Sequence, residues 1–160
     1  MAIERARAHL ARHGVAERLI ETAESSATVE LAAKAVGIEP RRIAKSLSFL
    51  VDGAPVLVVA AGDAKVDNRR FRDTFGVKAR MIPAAEVEDA VGHAVGGVCP
   101  FGVNEGVRVY LDDSLRRFET VFPAAGSGNS AIELGLDELE RISEAEGWVA
   151  VTVLPEGSLP

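Results

Sequence analysis

The chain has 160 residues, 48% of them hydrophobic, a formal net charge of −6 and one cysteine, Cys99. That suits one compact domain with a full core, numbered 1–160 with its core at about 27–153. The acidic balance argues against broad wrapping of nucleic acid and against a DNA partner, though not against one strand end held in a local basic pocket. A lone cysteine excludes an internal disulfide and fits a reducing compartment. With no apolar run of transmembrane length and no signal-type block at the start, the cytoplasm is expected and a membrane partner is not.

Residues 2–12 read as a basic helix and 18–22 as a short strand. A helix is expected over 28–36, capped by Ser26 or Thr28 and ended by Gly37. Pro40 suits the first turn of a short helix through Ile43. Residues 45–51 and 55–61 form two strands joined at Asp52-Gly53, a hairpin signal. The second is almost wholly apolar, as for a strand buried on both faces. Asp67 caps a helix from Asn68 to Phe75, residues 78–82 read as a short strand, and Pro83 opens a helix ending before Gly92. Strands follow at 108–111, 120–122 and 131–134. A helix at 136–143 and a strand at 148–153 complete the order, with a loose tail from Leu154. Irregular alternation with hairpins predicts a mixed α/β domain: a central, partly antiparallel sheet surrounded by helices, not a doubly wound parallel one. No dinucleotide or phosphate-loop glycine fingerprint is present, so no nucleotide cofactor, and no cofactor of any kind, is expected.

The segment from Val95 to Gly102 holds three glycines and a proline in eight residues. It cannot continue a helix or a central strand, and its main chain can approach a ligand closely. Lys45 stands where a short helix gives way to a strand. Its ammonium can meet a phosphate or a carbonyl oxygen there, or its stem can simply cover apolar surface. Cys99 and His93 raise a Cys-His nucleophilic pair, but nothing in their spacing brings them together. His9 and His13 have metal-like spacing on a helix without a neighbouring acidic or thiol ligand, so a solvated face and no metal are expected. Arg41, Arg42 and Lys45, and separately Arg69, Arg70 and Arg72, can hold phosphates or be solvated surface. Asn129, in the small-residue run 124–131, can bond a ligand or make a local turn.

Ile43-Ala44-Lys45-Ser46-Leu47, Ala61-Gly62-Asp63, Val95 to Gly102, and Ala124-Ala125-Gly126-Ser127-Gly128-Asn129 leading into Ala131-Ile132-Glu133-Leu134 occur in that order. As a set they resemble the YbaK/EbsC family, aminoacyl-tRNA deacylases related to the editing domain inserted in bacterial prolyl-tRNA synthetases. The resemblance covers roughly residues 27–151. It implies a YbaK-like fold and hydrolysis, in trans, of the ester joining a small wrong amino acid to a tRNA, with tRNA-Pro as the expected substrate. The implied partners are the tRNA acceptor 3′ end and prolyl-tRNA synthetase. Lys45 would hold the terminal adenosine or its phosphate, and the loop at Gly96, Gly97 and Val98 would stabilise the oxyanion while water attacks. Ser46, Cys99, Pro100, Phe101, Gly102, Gly126, Ser127 and Asn129 complete the expected substrate site. Ala124 and Ala131 stand where members favouring Cys-tRNA resemble one another in a serine and an aspartate, leaving alanine, serine, threonine or 2-aminobutyrate as the acyl group. Two further readings differ in class. One is a non-catalytic synthetase- or tRNA-binding module of the same fold, the other a thiol hydrolase using Cys99.

Overall fold

A computed structural model describes residues 2–23 and 28–155. Its centre is the hairpin of β2 (Ile43–Val51) and β3 (Ala54–Ala61), paired antiparallel from Ala44 opposite Ala61 to Val51 opposite Ala54. The turn forms at Asp52 and Gly53, whose φ angles of +52° and +80° are those of a mirror-image hairpin turn. The apolar run of β3 is explained by its place. It lies between β2 and a parallel neighbour, β5 (Arg108–Asp112), and Val56 through Ala61 are fully buried. Beyond β5 runs β9 (Gly147–Val149), also parallel. On the other side β6 (Thr120–Pro123) lies parallel to the start of β2, and β8 (Leu134–Gly135) closes the sheet antiparallel to β6. The six-stranded order is β8-β6-β2-β3-β5-β9. The expected mixed α/β architecture with a partly antiparallel central sheet is the one found.

Both faces of the sheet are covered. Leu57 and Val59 share one core with α1 (Ala2–Arg12), α4 (Ala84–Val91) and α5 (Leu136–Ile142). Phe49, Val56 and Val58 share another with Phe71 of α3 (Asn68–Phe75), where the Phe71 ring lies tilted against those of both Phe49 and Phe75. The remaining helix, α2 (Val29–Val36), closes the end of the sheet through Ala32, Ala33, Ile43 and Phe122. Its start is fixed by the Thr28 hydroxyl, which accepts from Leu31 N–H, and its end by Gly37 at φ +76°. Ser26, the other expected cap, lies outside the described residues. Asp67 caps α3 as expected by accepting from Arg70 N–H.

Four expectations are corrected. Residues 18–22 yield only the two-residue β1 (Ile20–Glu21), preceded by a 3-10 turn at Ala16–Arg18. Residues 78–82 form no strand. They run beside β2 through Leu50 N–H to Arg80 C=O and Ile82 N–H to Ser48 C=O, with one bridge at Met81, before Pro83 stops the pairing. The segment expected at 131–134 divides into β7 (Ser130–Ala131), paired with β1, and β8. The last strand divides too. Buried Asp112 accepts from Val151 N–H and the Thr152 hydroxyl, which turns the chain out of the main sheet. It then forms β10 (Thr152–Val153), paired with the unforeseen β4 (Lys65–Val66). Among the described residues no helix is long and apolar enough to cross a membrane.

Candidate functional site

Where β2 leaves its 3-10 lead-in at Pro40–Arg42, its first residues run between α2 and the loop that follows α4. There they floor a cavity of about 350 Å³. Lys45, Ser46 and Ser48 lie on that floor, and Gly96 and Val98 form the facing wall. Most of the remaining lining is apolar, including Val29, Ile82, Val87 and Phe122. Apolar walls with a few convergent polar groups are the usual make-up of a small-molecule site. The structure therefore brings Lys45, Ser46 and the first half of the glycine loop into one place, although they are far apart in sequence.

Lys45 is half-buried, and its ammonium donates to Gly62 C=O (3.2 Å) and Ala64 C=O (2.5 Å). Burial lowers its pKa below the ordinary lysine value, while the nearby charges of Asp63 and Glu30 oppose that shift. Ser46 Oγ is buried at the cavity with no hydrogen-bond partner among the described residues. A hydroxyl left so costs about 1–3 kcal/mol, which a bound polar group would recover.

The glycine loop is divided by its backbone. Gly96 takes φ +97°, open to glycine and strained for other residues, and it faces the cavity. Gly97 lies behind it. A Cβ there would sit 2.7 Å from Ser127 N and 2.8 Å from Gly126 C, so the two glycine segments touch main chain to main chain. Gly97 N–H is taken by Ala94 C=O at 3.0 Å. Gly126 and Ser127 are thus buttresses for the loop and not part of the cavity lining. Ser127 Oγ donates to Asn129 Oδ1 (2.9 Å), and Asn129 Nδ2 donates to Thr22 C=O (2.9 Å), tying the run to the segment at β1.

Cys99, Pro100, Phe101 and Gly102, expected among the substrate contacts, do not line this cavity. All but Gly102 are buried, and the chain here turns under α1. Gly102 N–H donates to His9 Nδ1 (3.0 Å), and a Cβ on Gly102 would meet Arg5 C=O at 2.6 Å. His9 is consequently a core histidine and not part of a solvated face. Its Nε2 donates to Ile142 C=O at 2.6 Å, which pins α1 to both the loop and α5. His9, His13 and Glu144 offer ligand atoms within 4.8 Å of one another, but both His9 ring nitrogens are already hydrogen-bonded, so a metal there would have to displace at least one of those bonds.

The spacing gave no reason to pair Cys99 with His93, yet Sγ lies 3.6 Å from His93 Nε2. The pair is poorly set for nucleophilic work. Both residues have zero exposure, and burial pushes the thiol up to about 12. His93 Nε2 is 2.6 Å from Phe101 C=O, so it carries its proton as donor and has no lone pair to offer the thiol.

Sequence reasoning missed two parts of the site. The apolar wall from Met81, Ile82 and Val87 carries no local signal, because Met81 and Ile82 reach the cavity only by running beside β2 and Val87 follows them on α4. The other part is Arg117, which forks onto Asp63 beside the Lys45 anchor, with contacts of 3.0 and 2.5 Å. Asp63 sits in one of the quoted motifs, whereas nothing marks Arg117.

The sequence matches the aminoacyl-tRNA editing domain over residues 23–142. It is 51% identical over 152 residues to the uncharacterized protein YwhH of Bacillus subtilis (strain 168), covering 94% of this chain and 97% of that one. It is 28% identical over 130 residues to the proline–tRNA ligase of Maridesulfovibrio salexigens, covering 74% of this chain but only 22% of the ligase. The fold is similar to that of a candidate trans-editing enzyme for prolyl tRNA synthetase, with a TM-score of 0.85, 27% identity, and coverage of 95% and 97% of the two chains. This chain therefore belongs to the aminoacyl-tRNA editing domain family.

Proposed function

We propose that the chain is a trans-editing aminoacyl-tRNA deacylase whose reaction takes place in the cavity between Lys45 and Gly96. The observation that carries this reading is that the basic anchor and the glycine loop, separate in sequence, wall the same cavity of about 350 Å³. The substrate is a tRNA, in first place tRNA-Pro, carrying a small wrong amino acid, and the compartment is the cytoplasm.

In this reading the Lys45 ammonium meets the terminal adenosine or its phosphate at the cavity mouth. The amino acid enters below it, where Ser46 Oγ supplies a hydrogen bond to a polar group of the substrate. Water adds to the acyl carbon, positioned by the terminal ribose hydroxyl or the substrate amino group. The ester C–O bond then breaks, the ribose oxygen takes a proton, and the amino acid leaves as its carboxylate. Because Gly97 N–H is turned to Ala94, the oxyanion donors on this loop are the N–H groups of Gly96 and Val98. Gly97 serves by lying flat on Gly126 and Ser127.

Pocket size selects the amino acid, as in a second sieve. Ala124 and Ala131 bridge to each other and both line the cavity, so only methyl groups stand where the members favouring Cys-tRNA carry polar ones. The test is a panel of tRNA-Pro charged with alanine, serine, threonine, 2-aminobutyrate and cysteine, with proline as control. Release is followed with and without prolyl-tRNA synthetase. Faster release of a small wrong amino acid than of proline supports the reading. Binding of the panel without release would favour the non-catalytic module.

A further inference from the structure

The Lys45 ammonium is held by two carbonyls of one short turn, Gly62 and Ala64. The residue between them, Asp63, points away and receives a two-point contact from Arg117. Arg117 is 6% and Asp63 20% exposed. A third bond runs from Arg117 Nε to Ser114 C=O (3.0 Å), and the Ser114 hydroxyl in turn accepts from Ala61 N–H (3.0 Å). The turn closes on itself through Ala64 N–H to Ala61 C=O. On its other side Gly62 is pressed so tightly that a Cβ would lie 2.1 Å from Pro40 C=O. The carbonyl pair thus has little freedom, and the Asp63 carboxylate is held on its far side by the Arg117 guanidinium.

We propose that the Asp63–Arg117 pair is the positioning device of the deacylase site, holding the Gly62–Ala64 turn so that its carbonyls aim the Lys45 ammonium into the cavity. Neither residue touches substrate, and both act through Lys45. A planar fork on a carboxylate fixes direction as well as distance, which a single ammonium cannot do. Small displacements of a positioned group are costly to rate, so releasing the turn should be felt in the reaction more than in the fold.

This inference rests on Lys45 being functional, and the test separates the two. Single-turnover deacylation is measured on the best substrate of the mischarged tRNA-Pro panel for Arg117→Met, Asp63→Asn and Arg117→Lys, each in the wild-type and in the Lys45→Ala background. Circular dichroism confirms folding. Arg117→Met and Asp63→Asn are expected to lower the rate by about tenfold or more, with Arg117→Lys recovering part of the loss. In the Lys45→Ala background Arg117→Met should change the residual rate by less than about twofold, because the residue it serves is already gone. Equal losses in both backgrounds, or a wild-type rate in Arg117→Met while Lys45→Ala is depressed, would overturn the positioning role and leave the site reading intact. A wild-type rate in Lys45→Ala overturns the reading itself, and the inference with it. If Arg117→Met does not fold, Asp63→Asn and Arg117→Lys carry the same comparison.

Discussion

Lys45 and Cys99 illustrate how burial sorts chemically attractive side chains. Lys45 is half-buried and its ammonium donates to two main-chain oxygens, so its charge is anchored in a residue that lines the cavity. Since burial lowers its pKa, the ammonium is lost at a lower pH than the roughly 10.4 of a free lysine. Enzymatic deacylation, corrected for spontaneous ester hydrolysis, is therefore expected to fall on the alkaline side below that value. Glu30, Asp63 and Lys65 are the charged groups that bear on it. Removing Glu30 with Glu30→Gln should move the fall to lower pH still, because its charge favours the ammonium. Cys99 has the opposite character. Its thiol stays protonated near neutrality, with the pKa pushed up to about 12. Cys99→Ser is expected to keep deacylation within about threefold of wild type while the melting temperature drops a few degrees, since a hydroxyl replaces an apolar-like group in a closed core. A covalent thioester trapped at Cys99 would contradict this.

Among the elements, the loop after α4 depends on a backbone-to-backbone contact that no other residue type permits. Gly97→Val would drive a branched side chain into Ser127 N and Gly126 C, both within 2.8 Å of the Cβ position. The loop must then lift off its buttress, moving the Gly96 and Val98 N–H groups. Deacylation is expected to fall by at least about tenfold, with the charge of every ionisable group unchanged. Comparison of initial rates with those of Cys99→Ser checks this, and a tolerant Gly97→Val would remove the loop from the mechanism. The elements themselves were legible wherever local chemistry dictates them. Asp52-Gly53 sets the hairpin, Thr28 and Asp67 start helices, and the unbroken apolar run of β3 announces a central strand. What could not be read were elements defined by a distant partner. Ile20 pairs with Ala131 and Val66 with Thr152, and two-residue strands of this kind have no periodicity of their own. His9 was misplaced for the same reason: its partners, Gly102 and Ile142, are brought to it only by packing of the whole chain.

For the whole molecule, the order of motifs pointed to residues that meet at one cavity but not to what supports them. Lys45, Ser46 and the Gly96 loop were foreseen and meet at one cavity, while the second half of the loop serves to join α1 to the core. The support includes Asp63, whose carboxylate Arg117 holds below its usual pKa through their hydrogen bonds. A carboxylate depressed in the folded state stabilises fully above its unfolded value, about 3.9, and that stability is lost as pH falls through the folded value. Asp63→Asn should therefore lower stability clearly at pH 7 and by progressively less as pH falls below the unfolded value of about 3.9 in denaturant titrations. An equal deficit across that range would mean that the charge is not what matters. The central claim is that Lys45 and the glycine loop form one hydrolytic site, and the most direct measurement is the deacylation rate of the mischarged tRNA-Pro panel with wild type, Lys45→Ala and Gly97→Val side by side. The expected result is release of a small wrong amino acid by wild type, and loss of most of that rate in both variants while their circular dichroism stays native. Unchanged release by Lys45→Ala across the panel would contradict it.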